Sequence, residues 1–152
     1  MLRILFVCHG NICRSPMAEY VMRDICEKRG IDVYVESAAT STEELGNPVH
    51  YGTRGILDRL GIDCSKKRAR RITHEDYGSF DLLIGMDGAN IHNMTRYWGD
   101  PKHKIHLLSE YAENPHGRDI SDPWYTGDFE STYRDVKAGC EGLAEKIKSA
   151  QV

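Results

Sequence analysis

Leu2-Arg3-Ile4-Leu5-Phe6-Val7 followed by Cys8-His9-Gly10-Asn11-Ile12-Cys13-Arg14-Ser15-Pro16 puts a nearly continuous apolar run before a short polar loop. Such a run suits a central strand buried on both faces of a parallel sheet. Ser15-Pro16 reads as a helix start, with Ser15 as N-cap and Pro16 at the first helical position. Ala18, Val21, Met22, Ile25 and Cys26 follow at helical spacing, and Gly30 closes the helix. The stretch is therefore strand, loop, helix, with the loop at the carboxyl end of the strand.

The same alternation continues along the chain. Val33 to Ser37 reads as a second strand, and Asn47-Pro48 opens a helix carrying Ile56, Leu57 and Leu60, closed by Gly61. Phe80 to Gly85 is a third strand, and Asp87 caps a helix towards Trp98. Lys104 to Leu108 is a fourth strand, then a polar loop runs from about Ser109 to Thr126. Phe129, Tyr133, Val136, Cys140, Leu143 and Ile147 line one face of a closing helix. The expected fold is α/β in three layers, a four-stranded parallel sheet with helices on both faces. Ligands in such folds bind beyond the carboxyl ends of the strands, so the loop Cys8 to Ser15 is the first place to look.

That loop suits an oxyanion. Unpaired N–H groups at the helix start form a nest, and the helix dipole adds positive character. Gly10 is expected to supply backbone freedom, and Arg14 a planar fork for two phosphate oxygens. A thiol beside a helix N-terminus and a cation ionises more readily than a free one, so Cys8 is expected to act as a thiolate. It would attack phosphorus in line while N–H groups and Arg14 hold the equatorial oxygens. Ser15 would donate its hydroxyl to the sulfur. A phosphate-binding loop after the first strand is the reading that joins these residues.

Expulsion of a phenolate needs a proton donor. Asp122, in Asp122-Pro123-Trp124-Tyr125, lies in the polar loop that emerges at the same sheet edge. Pro123 stiffens the turn, and Trp124 and Tyr125 offer flat walls for an aromatic group.

At 152 residues the chain is expected to form a single domain spanning residues 1–152. Its net charge of −3 gives no field favouring nucleic acid or an anionic membrane, and neither partner is expected. No apolar run has the length of a membrane span. Met1 to Val7 reads as a strand and not as a signal peptide. Five cysteines without framework spacing suit a reducing compartment, hence a cytoplasmic location. Cys26 and Cys140 fall on apolar helical faces, and Cys64 has no assigned role. The histidines lack metal-site spacing. The basic run Lys66-Lys67-Arg68-Ala69-Arg70-Arg71 reads as a solvated face.

Cys8 to Pro16 together with Asp122-Pro123-Trp124-Tyr125 resembles the low-molecular-weight protein tyrosine phosphatases, in their bacterial-type branch. The resemblance extends over Val35-Glu36-Ser37-Ala38, Ile72 to Tyr77, Met86-Asp87 and the closing helix. It implies no metal and no cofactor, a phosphocysteine intermediate, tyrosine-phosphorylated proteins as partners and inorganic phosphate as product. Carried onto this chain, Cys8 is the nucleophile, Arg14 the phosphate ligand and Asp122 the acid and later the base. His9, Gly10, Asn11, Ile12, Cys13, Ser15, Trp124 and Tyr125 form the binding site. Asn11 is similar to the family asparagine that braces the loop, with Ser37 as partner.

The chain departs from the family at two places. Many animal members carry an aromatic wall near Thr42 to Leu45, where this chain has Glu43 and Glu44. Lys67 stands where the family often has a histidine behind the loop. Arsenate reductases of the same fold need further cysteines, which Ile84 to Ile91 lacks. Relatives acting on phosphoarginine carry threonine where Ile12 stands, and the apolar Ile12 favours a phenyl ring. A binding module without turnover would not need Asp122. Cys13 either captures an oxidised Cys8 as a disulfide, as in related phosphatases with this pair, or fills space behind the loop.

Overall fold

The computed structural model describes residues 1–113 and 119–150. Four parallel strands run in the order β2-β1-β3-β4: β1 Leu2–Cys8, β2 Val33–Ala39, β3 Leu82–Gly85 and β4 Ile105–Leu107. In register, Phe6 faces Ser37 on one side and Ile84 on the other. Among the described residues six α-helices complete the layers: α1 Arg14–Arg29, α2 Tyr51–Arg59, α3 Asp76–Ser79, α4 Gly88–Trp98, α5 Pro123–Thr126 and α6 Phe129–Lys148. No described helix is long and apolar enough to cross a membrane.

The alternation of side chains along β1 divides the core in two. Ile4, Phe6 and Cys8 join Met17, Val21 and Met22 of α1 and Val136, Cys140 and Leu143 of α6 on one face. Leu5 and Val7 join Leu83, Phe80 and Met94 on the other, beneath α4. Cys64 is also buried in the larger cluster.

Several expected boundaries move, each for a local reason. Helix α1 begins at Arg14 with Cys13 as N-cap, not at Ser15-Pro16. Pro16 is thereby the third helical residue, which still has no intrahelical N–H partner to lose. The Ser15 hydroxyl is drawn elsewhere, to Cys8 and Asn11. Helix α2 starts at Tyr51, capped by His50, whose Nδ1 accepts from Gly52 N–H at 3.1 Å. Asn47-Pro48 is held instead by Ala69 N–H donating to the Asn47 carbonyl and by a bridge between Pro48 and Arg68. Leu60 lies outside the helix and is 39% exposed. Part of the expected loop from Ser109 to Thr126 falls on 114–118, outside the described residues. The rest contains a 3-10 turn, Leu108–Tyr111, and α5. Helix α3 follows Ile72-Thr73-His74-Glu75 and had no separate signal.

The packing of α6 depends on glycine. A Cβ at Gly142 would lie 1.7 Å from the Tyr111 carbonyl oxygen, and one at Gly139 2.5 Å from Leu108. Backbone cannot yield as a side-chain end can, so Gly142→Ala should destabilise the protein by about 3 kcal/mol. Chemical denaturation measures this; a loss under about 0.5 kcal/mol would mean that α6 does not rest on this contact.

Candidate active site

The loop Cys8 to Arg14 is wrapped from outside. The carbonyl of Cys8 accepts from Thr40 N–H at 3.0 Å, and that of His9 from Ser41 N–H at 3.1 Å. The Ile12 carbonyl accepts from His50 N–H at 2.9 Å, and the Cys13 carbonyl from the Thr53 hydroxyl at 3.1 Å. Across a trans peptide plane the N–H points opposite to its carbonyl. Carbonyls tied outward therefore turn N–H groups towards the loop interior, the arrangement of an anion nest. Asn11 N–H lies 3.4 Å from Cys8 Sγ.

Gly10 does not supply the unusual conformation expected of it. Asn11 does, with φ of 61°, a region that asparagine tolerates better than most residues. Gly10 serves close approach: a Cβ there would meet Glu44 Cγ at 3.3 Å.

A one-directional chain of hydrogen bonds then reaches the sulfur. Glu19 is buried and, as a carboxylate beside Arg23 and Lys67, can only accept. Ser37 Oγ donates to Glu19 Oε1 at 2.5 Å and accepts from Asn11 Nδ2 at 2.9 Å. The second Nδ2 proton goes to Ser15 Oγ at 2.8 Å, while Asn11 Oδ1 accepts from Arg70 N–H. Ser15 therefore has its own proton left for Cys8 Sγ, 2.9 Å away. Lys67 Nζ donates to the Ser37 carbonyl at 2.8 Å, so this lysine holds the brace from behind. Burial pulls the Lys67 ammonium below its usual range, against the opposing pull of Glu19. Lys67 and Arg70, which pairs with Asp76 and Glu36, are thus not the solvated face expected of this basic run.

Arg14 approaches from the start of α1, and its side chain is only 3% exposed. Its Nη1 donates to Asp87 Oδ2 at 2.6 Å and to the Ile120 carbonyl at 3.0 Å, which sets the plane of the fork. Its Nη2 lies 3.4 Å from Asp122 Oδ2. Burial opposes the guanidinium charge, but Cys8, Asp87 and Asp122 outweigh it and hold the group above its usual range. Asp122 Oδ1 meanwhile caps α5, accepting from Trp124 N–H at 3.1 Å.

These parts close round one cleft, lined by Cys8 to Arg14, Glu43, Glu44, Asp122, Trp124 and Tyr125. Every expected loop residue except Ser15 lines it directly; Ser15 and Ser37 stand behind it. His9 is at the mouth, its Nε2 3.0 Å from Glu43 Oε2. Ile12 and Cys13 are buried, Trp124 and Tyr125 exposed. Burial, with Cys8 and Asp122 adding, pushes the Cys13 thiol up to about 12 despite Arg14.

Three contributors were not singled out from the sequence as site residues. Asp87 stood out as a helix cap and as part of the resemblance but with no role at the site, although its place at the carboxyl end of β3 marks the ligand edge. Glu19 is an acid between Ala18 and Met22, both core positions of α1, and such an acid needs partners. His50 stacks between Tyr51 and Phe129 at 4.3 and 5.1 Å and meets Trp124 edge-on at 5.7 Å. It links α5 to the loop through its bond to Ile12, and nothing in the sequence signals this.

The comparisons agree with this architecture. A low molecular weight protein-tyrosine-phosphatase of Bacillus subtilis strain 168, YfkJ, is 41% identical over 152 residues, covering 97% of each chain. The crystal structure of YfkJ from Bacillus subtilis matches with a TM-score of 0.95 at 39% identity, covering 100% of this chain and 98% of that one. The crystal structure of SP-PTP, a low molecular weight protein tyrosine phosphatase from Streptococcus pyogenes, matches with a TM-score of 0.86 at 41% identity, covering 96% and 93%. Residues 3–152 match the model of the low molecular weight phosphotyrosine protein phosphatases, and the chain belongs to that family.

Proposed function

We propose that this protein hydrolyses phosphotyrosine in proteins through a cysteinyl-phosphate. The observation that carries the reading is the convergence of Cys8 Sγ, an outward-tied anion nest, the Arg14 fork and the Asp122 carboxyl in one cleft. The phosphate would sit in the nest above Cys8, with its oxygens on loop N–H groups and Arg14. The sulfur attacks phosphorus in line as the bond to the tyrosyl oxygen breaks. Asp122 gives its proton to the departing phenolate. It then takes a proton from the water that attacks the phosphocysteine, releasing inorganic phosphate and restoring the thiolate.

The Ser15 hydroxyl, 2.9 Å from Sγ, has its proton free to meet the negative charge that gathers on sulfur as the phosphocysteine bond breaks. Ile12, Trp124 and Tyr125 supply apolar surface that a phenyl ring uses and a serine ester cannot reach. Tyrosine-phosphorylated proteins are the corresponding partners, and a cytoplasmic location fits the free cysteines.

Cys8→Ser should abolish turnover of phosphotyrosine while the folded protein still binds an oxyanion such as vanadate. Retention of a tenth of wild-type kcat, a barrier change of only about 1.4 kcal/mol, would rule out Cys8 as nucleophile.

Asp122→Asn keeps the cap on α5 but removes the acid. Its kcat on phosphotyrosine should fall about 100-fold, and much less on esters of strongly acidic phenols, whose anions leave unaided. Equal losses on both substrates would assign Asp122 a structural role only.

Peroxide should inactivate the enzyme reversibly. Oxidation of Cys8 gives a sulfenic acid, and the Cys13 thiol displaces water from it to form a disulfide. Part of what suppresses Cys13 ionisation is the charge on Cys8, which that oxidation removes. After one peroxide dose, dithiothreitol should restore the wild type and leave Cys13→Ser inactive. Equal recovery would make Cys13 a packing residue.

A further inference from the structure

A second hollow adjoins the catalytic cleft, and the two share His9 as a wall. Beyond that histidine it is lined by Ser41, Arg71, Asn93, Arg96 and Tyr97, among others, and no carboxylate among the described residues lines it. Arg71 comes from the basic run after Ala69, and Arg96 from the last turn of α4. They are not neutralised as Lys67 and Arg70 of the same run are. Lys67 is committed to Ser37 and Glu19, and Arg70 to Asp76 and Glu36. Arg71 instead donates Nε to the Thr40 carbonyl at 3.4 Å and lies over the Tyr97 ring, 5.4 Å from its centroid. Tyr97 is itself stacked on His74 at 4.3 Å, which steadies the platform. Neither Arg71 nor Arg96 has an ion-pair partner among the described residues, and both are exposed.

The cleft itself carries the opposite sign. Glu43 and Glu44 line it, with Glu43 bonded to His9 and Glu44 accepting from Asn47 Nδ2 at 2.6 Å. A substrate in the cleft therefore meets carboxylates among the cleft residues and two guanidinium groups in the hollow past His9.

Resting on the phosphotyrosine reading above, we propose that the Arg71–Arg96 hollow seats an acidic side chain of the protein substrate, close in sequence to the phosphotyrosine. Arginine suits this task, because its planar fork can take both oxygens of a carboxylate. Asn93 and Ser41 add neutral polar groups to the same surface. An extended chain advances about 3.3 Å per residue, so a residue within a few positions of the phosphotyrosine reaches a hollow that shares a wall with the cleft. The contribution is to selection among substrates and to capture, not to the chemical step.

The test compares two phosphotyrosine peptides, one flanked by glutamates and one by glutamines, with a small aryl phosphate as control. Wild type should prefer the acidic peptide by about tenfold in kcat/KM, mostly through KM, and the preference should shrink as salt rises. Arg71→Gln/Arg96→Gln should erase the preference and leave the glutamine peptide and the aryl phosphate within about twofold of wild type. Equal kinetics of wild type on both peptides, or a preference that survives the double substitution, would overturn the proposal. So would a variant that loses binding to phosphatidylserine vesicles while its peptide kinetics stay those of wild type, since the hollow would then face a membrane. If wild type turns over neither peptide nor aryl phosphate, it is the phosphatase reading itself that fails.

Discussion

The buried carboxylate of Glu19 sets the direction of every proton in the loop behind it. Because it only accepts, Ser37 must donate to it and Asn11 must donate to Ser37. The remaining Asn11 proton then goes to Ser15, and Ser15 has no choice but to face Cys8 Sγ with its own. Reversal of any one bond would leave two donors facing each other in a dry interior, a costly arrangement. The polarity felt by the sulfur is thus decided across three intervening side chains. The left-handed backbone of Asn11 is the geometric condition for this, since it lets one residue reach both serines while its N–H turns to the sulfur.

A second constraint comes from sheet topology. The parallel sheet delivers Cys8, Asp87 and the segment leading to Asp122 at one edge, after β1, β3 and β4. Arg14 is where these deliveries meet. Asp87 and the Ile120 carbonyl hold one side of its fork, and Asp122 faces the other. A buried guanidinium needs such compensation, and here the compensating groups also aim it. The close contact of Gly142 with Tyr111 secures the path out of β4, and the Asp128 and Asp122 caps secure the path into α6.

The strands and the long helices were legible because their patterns are strong. Leu2 to Val7, the apolar face of α6 and the Asp87 cap announce themselves by period and by capping chemistry. Cys8 and Arg14 stood out because they frame a strand-to-helix turn, whereas Asp122, in a common Asp-Pro turn, stood out only beside that loop; the structure brings all three to one cleft. Helix starts were misread where a tertiary partner competes: Ser15 is taken by Cys8, and Asn47 by Ala69. The roles of Glu19, Lys67 and His50 depend on residues 18 to 79 positions away in the chain. No local pattern encodes such a contact. Gly10 was given a conformational role that its neighbour Asn11 performs, since composition alone does not say which residue of a tight loop turns left-handed.

The two tryptophans sit in unlike surroundings. Trp98 donates its indole N–H to the Thr73 carbonyl and packs among Tyr77 and Tyr97 on the α4 side of the sheet. Trp124 is 57% exposed at the cleft, edge-on to His50, on the short helix that Asp122 caps. A group entering the cleft would desolvate the second indole and leave the first untouched. The molecule thus carries its own optical reporter, in which one emission component follows occupancy of the cleft and the other serves as an internal reference.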